Sequence, residues 1–253
     1  MIFLIIVAFI FFLCWGSFLN VVGYRIIRGY PLTGRSLCPH CRHILSWYDL
    51  IPFISWVMLQ GRCRYCKNRI SILYPFIELL TALVLTTMIL FIPQQFWLAY
   101  GLCISALIVT IRTDFEKMLI SRYLTWGLIP IAFILSLFKM LPLTPSECLL
   151  GTFFGYVLLW LTARIFYYFK NIEGMGDGDI DLLAMIGAFT GITGAWISLL
   201  LGSFYGLLAS GSQFLFKGRF LRKIAFGPWL AAGAITYIFF SKQIIKLIYP
   251  IDI

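Results

Sequence analysis

Apolar runs long enough to cross a bilayer follow one another along most of the chain, separated by short polar breaks and a single long one. A hydrocarbon core about 30 Å thick takes roughly 20 apolar residues of helix, with every backbone polar group paired inside its own helix. Spans are therefore expected near residues 1–22, 72–92, 96–111, 119–138, 147–168, 182–194, 195–216 and 228–248. The pattern predicts an all-α polytopic membrane protein of about eight transmembrane helices. The first run has neither the basic start nor the small-residue cleavage site of a secretory signal peptide, so it is expected to stay attached. The long break divides the chain into a first helix (1–23), a polar insert (24–71) and a membrane bundle (72–253).

Composition agrees, because a 253-residue chain that is 61% hydrophobic, only 12% charged and has a mean hydropathy of +0.94 is excluded as a soluble globule. A net charge of +10 would suit nucleic acid, but in a membrane protein the placement of charge matters more than its sum. With these spans, seventeen Lys and Arg fall on one side, against Lys139, Lys242 and Lys246 on the other. The basic side is expected to be cytoplasmic, with the insert there and both termini outside. Membrane lipid is thus an expected partner, and nucleic acid is not.

The insert holds Cys38-Pro39-His40-Cys41 and Cys63-Arg64-Tyr65-Cys66, with 21 residues between them. Each hook offers two thiolates at the bite of one tetrahedral ion, so Cys38, Cys41, Cys63 and Cys66 are expected to bind zinc. Disulfides are the structural alternative, set aside because the insert is expected on the reducing side. His40 and His43 could replace a thiolate, while Cys14, Cys103 and Cys148, in or near spans, read as packing residues. The stretch from Leu45 to Trp56 is too apolar for a solvated loop. It is either the core of a small zinc module or a segment resting at the membrane interface, and its Trp and Tyr favour the interface.

Four of the ten acids lie within nine positions, Glu173-Gly174-Met175-Gly176-Asp177-Gly178-Asp179-Ile180-Asp181. The fifth span ends on the side where the third delivers Asp114, so Asp114 and Asp179 can meet at one depth. Two close aspartates share a proton: one acts as base toward water, the other as acid toward a peptide carbonyl and its leaving amine. A snorkelling charge is the plain account of Asp114, and a helix cap that of Asp179. A calcium loop starting at Asp177 would need Gly and Glu where Leu182 and Ala188 stand, which argues against calcium and leaves magnesium as a lesser alternative. Asn20, near the end of the first span, and Glu78, one turn into the second, are further acids or amides that lipid tolerates only with partners. Helix packing is the plain account of Asn20, and a helix N-terminus that of Glu78.

These residues together resemble the bacterial type IV prepilin peptidases, bifunctional leader peptidase/N-methyltransferases. The likeness runs through Gly16-Ser17-Phe18-Leu19-Asn20-Val21-Val22 with Arg25, both cysteine hooks, Trp47-Tyr48-Asp49 with Pro52, Gly61-Arg62-Cys63-Arg64, and Tyr74-Pro75 with Glu78. It continues in Gly174-Met175-Gly176-Asp177-Gly178-Asp179, Leu182-Leu183-Ala184 and Phe226-Gly227-Pro228. The resemblance implies a Gly-x-Gly-Asp membrane aspartic protease of the bacterial inner membrane, with Asp114 and Asp179 as the catalytic pair on the cytoplasmic side. Its substrates would be prepilins or pseudopilins, cleaved after a basic leader and then N-methylated with S-adenosylmethionine. Asn20, Arg25, Asp49 and Glu78 are candidates for the methyl-donor site. Met118-Leu119-Ile120-Ser121 lacks the proline of many relatives, and Asp181 stands where they have lysine. The extra acids, Glu173, Asp177 and Asp181, are therefore expected to attract basic leaders. A proton- or cation-coupled transporter, a peptidase without methyltransferase activity and an inactive assembly protein are the alternatives.

Overall fold

A computed structural model describes residues 2–172, 174–217 and 225–248. The chain forms two compact units, Met1–Phe91 and Ile92–Ile253. Among the described residues every extended element is a helix, and six helices are long and apolar enough to cross a membrane. A shorter apolar helix and a sharp break inside the longest one account for the remaining two of the eight expected spans.

In the first unit α1 (Ile2–Ile26) pairs with α3 (Leu73–Phe91). No residue in the N-terminal half of α1 is buried, and most of its large apolar side chains are exposed. The C-terminal half closes on α3, where a Cβ at Gly16 would stand 2.9 Å from both the Glu78 Cα and the Thr81 Cβ. Small residues allow such approach in membranes. The insert between them carries a 3₁₀ turn (Trp47–Leu50) and α2 (Ile54–Met58). The expected bundle starts at residue 72, before α3; α3 packs on α1 instead, through Gly16 against Glu78 and Thr81 and the Asn20 hydrogen bond to Tyr74.

The second unit contains α4 (Trp97–Lys117), α5 (Arg122–Leu137), α6 (Pro145–Lys170), α7 (Asp177–Lys217) and α8 (Gly227–Ile248). Two stretches form its core: α4 from Cys103 to Asp114, and α7 from Ile180 to Thr190. Gly191, at φ 72° and ψ −175°, breaks α7 in a conformation that L side chains rarely adopt. The second half of α7 runs antiparallel to α8, since Gly194 lies by Tyr237 and Gly202 by Leu230. Both α8 and the first half of α7 start beside Asp114, so the chain reverses direction at Gly191. The expected boundary at 194/195 is moved to this glycine. The first half of α7 crosses α6 so closely that a Cβ on Gly187 would meet the Gly151 carbonyl oxygen at 2.1 Å.

Candidate active site

Asp114 belongs to the last turn of α4, which continues to Lys117 rather than ending near 111 as the hydropathy suggested. The reason is visible in the charges that follow: Arg112 pairs with Glu116 one turn on, so the helix carries them as an i,i+4 pair. Met118, in the left-handed region, closes the helix by donating its N–H to the Asp114 carbonyl at 2.9 Å. Asp179 lies in the first turn of α7. The end of α4 and the start of α7 converge around Ile120, which lies against Gly178, and Gly227, which lies against Asp114, so the helix turn that carries Asp179 is brought to the end of α4. Asp114 is 5% exposed and Asp179 half-buried.

A third segment completes the site. The Gly227 N–H, at the start of α8, donates to Asp114 Oδ2 at 3.0 Å, so the carboxylate meets the positive end of a helix. Ile120, in the turn between α4 and α5, roofs the arrangement: Cβ atoms at Gly178 and Gly227 would lie 2.8 Å from its Cβ and 3.1 Å from its Cδ1. The acids around the pair differ from one another. Asp177 is exposed, whereas Asp181 is 2% exposed and accepts an ion pair from Arg122 Nε at 3.1 Å. Glu173 lies outside the described residues. The partners Gly227, Ile120 and Arg122 were missed in the sequence; the glycine-proline start of α8 was the one available signal.

In the first unit the four cysteine sulfurs lie within 4.8 Å of one another, and Cys38 Sγ is 3.9 Å from Cys66 Sγ. Thiolates about 2.3 Å from a tetrahedral ion are separated by about 3.8 Å, so the set fits such a metal. The two hooks are built alike. Isolated bridges Leu37 with Ile44 and Arg62 with Arg69 bracket them, and Arg42 and Lys67 take the same left-handed conformation. Cys38 and Cys63 each receive the main-chain N–H four residues on, from Arg42 and Lys67. Burial pushes the Cys38 thiol up to about 11. Burial also acts on Cys63, but main-chain hydrogen bonds at Cys66 and Tyr65 and the Cys38 and Cys66 thiols outweigh it and bring Cys63 down to about 7.

The remaining polar candidates each tie parts of this unit together. Asn20 Nδ2 donates to the Tyr74 carbonyl at 3.0 Å, joining α1 to α3. The Arg25 guanidinium donates to the carbonyls of Leu32 and Gly34, the latter at 2.8 Å, and folds the start of the insert against α1. Asp49 Oδ1 accepts from Arg64 Nε at 2.7 Å, linking the 3₁₀ turn to the second hook, and this pairing holds the Arg64 guanidinium above its usual range. Glu78 Oε2 accepts the Phe53 N–H at 2.8 Å.

Residues 10–92 match a family model described as the bacterial peptidase A24 N-terminal domain, and residues 101–211 match that of the type IV leader peptidase family. A protein of Aeromonas hydrophila named prepilin leader peptidase/N-methyltransferase is 33% identical over 88% of this chain and 86% of its own. One of the same name from Neisseria gonorrhoeae is 32% identical over 86% and 84%. An Escherichia coli protein named type 4 prepilin-like proteins leader peptide-processing enzyme is 30% identical over 88% and 89%. No solved structure gives a significant match.

Proposed function

This chain belongs to the type IV leader peptidase family, and on that premise we propose that it cleaves the basic leader from prepilins or pilin-like secretion subunits and N-methylates the new terminus. The observation that supports the peptidase reading is the convergence, around Ile120 and Gly227, of the helix ends that carry Asp114 and Asp179. A transporter would want its acids along a path across the membrane; these two stand together at one end of their helices.

In the proposed reaction the pair shares one proton and holds a water between its oxygens. Asp114 accepts the Gly227 N–H at the positive end of α8, a contact that favours its anionic form, so we assign it the base. It takes a proton from water as the oxygen attacks the scissile carbonyl. Asp179 gives its proton to the carbonyl oxygen, forming a gem-diol; Asp114 then passes the proton it took from water to the leaving amine as the C–N bond breaks, and Asp179 recovers a proton from the gem-diol hydroxyl. The exposed Asp177 is assigned the attraction of the basic leader, with Glu173; Asp181, expected to share that part, is buried and offset by Arg122, and its assigned part is to hold the start of α5. Zinc is assigned to Cys38, Cys41, Cys63 and Cys66, where it ties the two hooks and enters no reaction step. S-adenosylmethionine, when bound, supplies the methyl group from its sulfonium. Asn20, Arg25, Asp49 and Glu78 already bond within the module, so their assigned part is to shape the donor site. We place the aspartates and the zinc insert at the cytoplasmic face of the bacterial inner membrane, from the distribution of basic residues.

The test is cleavage of a model prepilin by the purified enzyme. Asp114→Asn and Asp179→Asn are each expected to lose about 10²-fold or more. Asp177→Asn is expected to keep kcat and to raise KM at low salt, with the difference fading as salt screens it. Equal activity in all of these variants would overturn the assignment.

A further inference from the structure

Residues 50–59 contain no charged side chain, and six of them, Leu50, Ile51, Phe53, Ile54, Val57 and Met58, are exposed large apolar groups. Neither the 3₁₀ turn nor α2 has a buried residue. In water such a patch would be an aggregation liability. Its depth says what covers it. α3 has 19 residues, about 28 Å of helix, so all of it is needed to cross the hydrocarbon core. Glu78 lies five residues into α3, about 7 Å along its axis, and its carboxylate holds the Phe53 main chain at 2.8 Å. The apolar elbow is therefore held alongside a part of α3 that is itself inside the membrane.

The backbone is prepared for that place. Irregular backbone is disfavoured in the hydrocarbon region because its polar groups go unsatisfied there, so a shallow elbow that pairs many of them meets the least cost. The Phe53 N–H goes to Glu78, that of Ser55 to the Ile51 carbonyl at 3.1 Å, and that of Val57 to the Phe53 carbonyl at 3.1 Å. The two polar side-chain groups are also paired: Ser55 Oγ donates to the Ile51 carbonyl at 2.7 Å, and Trp56 Nε1 to the Ile70 carbonyl at 3.2 Å. Phe53 holds a left-handed φ of 61°, a strained conformation that the Glu78 contact fixes. Trp47 and Tyr48 precede the elbow and Arg62 and Arg64 follow it, the side chains that sit at headgroup level beside an acyl phase.

From these observations we propose that residues 50–58 form a re-entrant elbow that binds the acyl region of the lipid, held at depth by Glu78. The two cysteine hooks flank it in the chain, so one insert carries both the metal site and a lipid anchor.

The experiment places the photocrosslinker p-benzoylphenylalanine at Ile54, Met58, His40 or Phe3 in the full chain, in nanodiscs of phosphatidylethanolamine and phosphatidylglycerol, and reads lipid adducts by mass. Met58 is 78% exposed, and Phe3, in the N-terminal half of α1, is 75% exposed and serves as the lipid-facing control. Adducts are expected at positions 54, 58 and 3, and at position 40 several-fold fewer. Absence of adduct at 54 and 58 while 3 reacts overturns the proposal, as does crosslinking there to a second copy of the chain in place of lipid. Glu78→Leu is expected to lower the yield at 58 several-fold and Glu78→Gln, which keeps an acceptor for the Phe53 N–H, to preserve it. Equal yields in the two variants would remove Glu78 as the anchor.

Discussion

A methyl group at residue 227 would have to occupy the space that an oxygen of Asp114 now fills. Its Cβ would lie 2.8 Å from Asp114 Oδ2 and 3.1 Å from Ile120 Cδ1, so either the carboxylate turns or α8 backs away. Misplacing a reacting group by about 1 Å costs on the order of 10²-fold in rate. Gly227→Ala is therefore expected to lower kcat for prepilin cleavage by roughly 10- to 100-fold, while its unfolding midpoint moves by no more than about 4 °C. A fall in stability with kcat unchanged would make Gly227 a packing residue only. The residues that were legible in the sequence are those whose type is out of place: an aspartate in an apolar chain cannot be ignored. Gly227 acts through its main-chain N–H, a group every residue but proline carries, so nothing in its identity announces the partner.

At the scale of elements, the turn from Met118 to Ser121 has to be held over the aspartates, and the nearest tie is the Arg122–Asp181 pair. It fastens the first residue of α5 to the first turns of α7, with Ile120 pressed on Gly178 between them. Arg122 is 67% exposed and Asp181 only 3% by side chain, so the two halves of the pair are not equivalent. Arg122→Gln strands a buried carboxylate, at a cost of about 1–3 kcal/mol. Adding Asp181→Asn should recover part of that loss, because the amide removes the charge. Simple addition of the two losses in thermal or denaturant unfolding would mean the pair is not coupled. Sequence hydropathy located every long helix, since a run of apolar residues has few alternatives in lipid. It misjudged the ends where charges continue a helix, as Arg112 and Glu116 do in α4. It also put the reversal in α7 three residues late, because Gly191 is one of several glycines there and only the packed structure shows which has a positive φ.

The whole molecule has two units, each with its own internal packing, and this bears on what the metal does. The first unit has two spans and a small insert whose apolar residues are largely exposed, so little burial holds the hooks together. Structural zinc contributes about 10–16 kcal/mol in small finger-like modules, comparable to the whole stability of a domain. The second unit instead surrounds its aspartates with the buried faces of α4 and α7 and has no part of the cysteine cluster. Cys63→Ser in the full chain is therefore expected to abolish the bound zinc and to speed amide exchange in residues 36–70. Exchange in residues 103–114 and 180–190 should stay slow, because those amides are protected by a core to which the four clustered cysteines contribute nothing. The same variant should lose methyl transfer and keep prepilin cleavage. If cleavage fell as far as methylation while the core of the second unit stayed protected, the reaction site would depend on the zinc insert directly, and the two activities could not be assigned to separately stabilised parts of the chain.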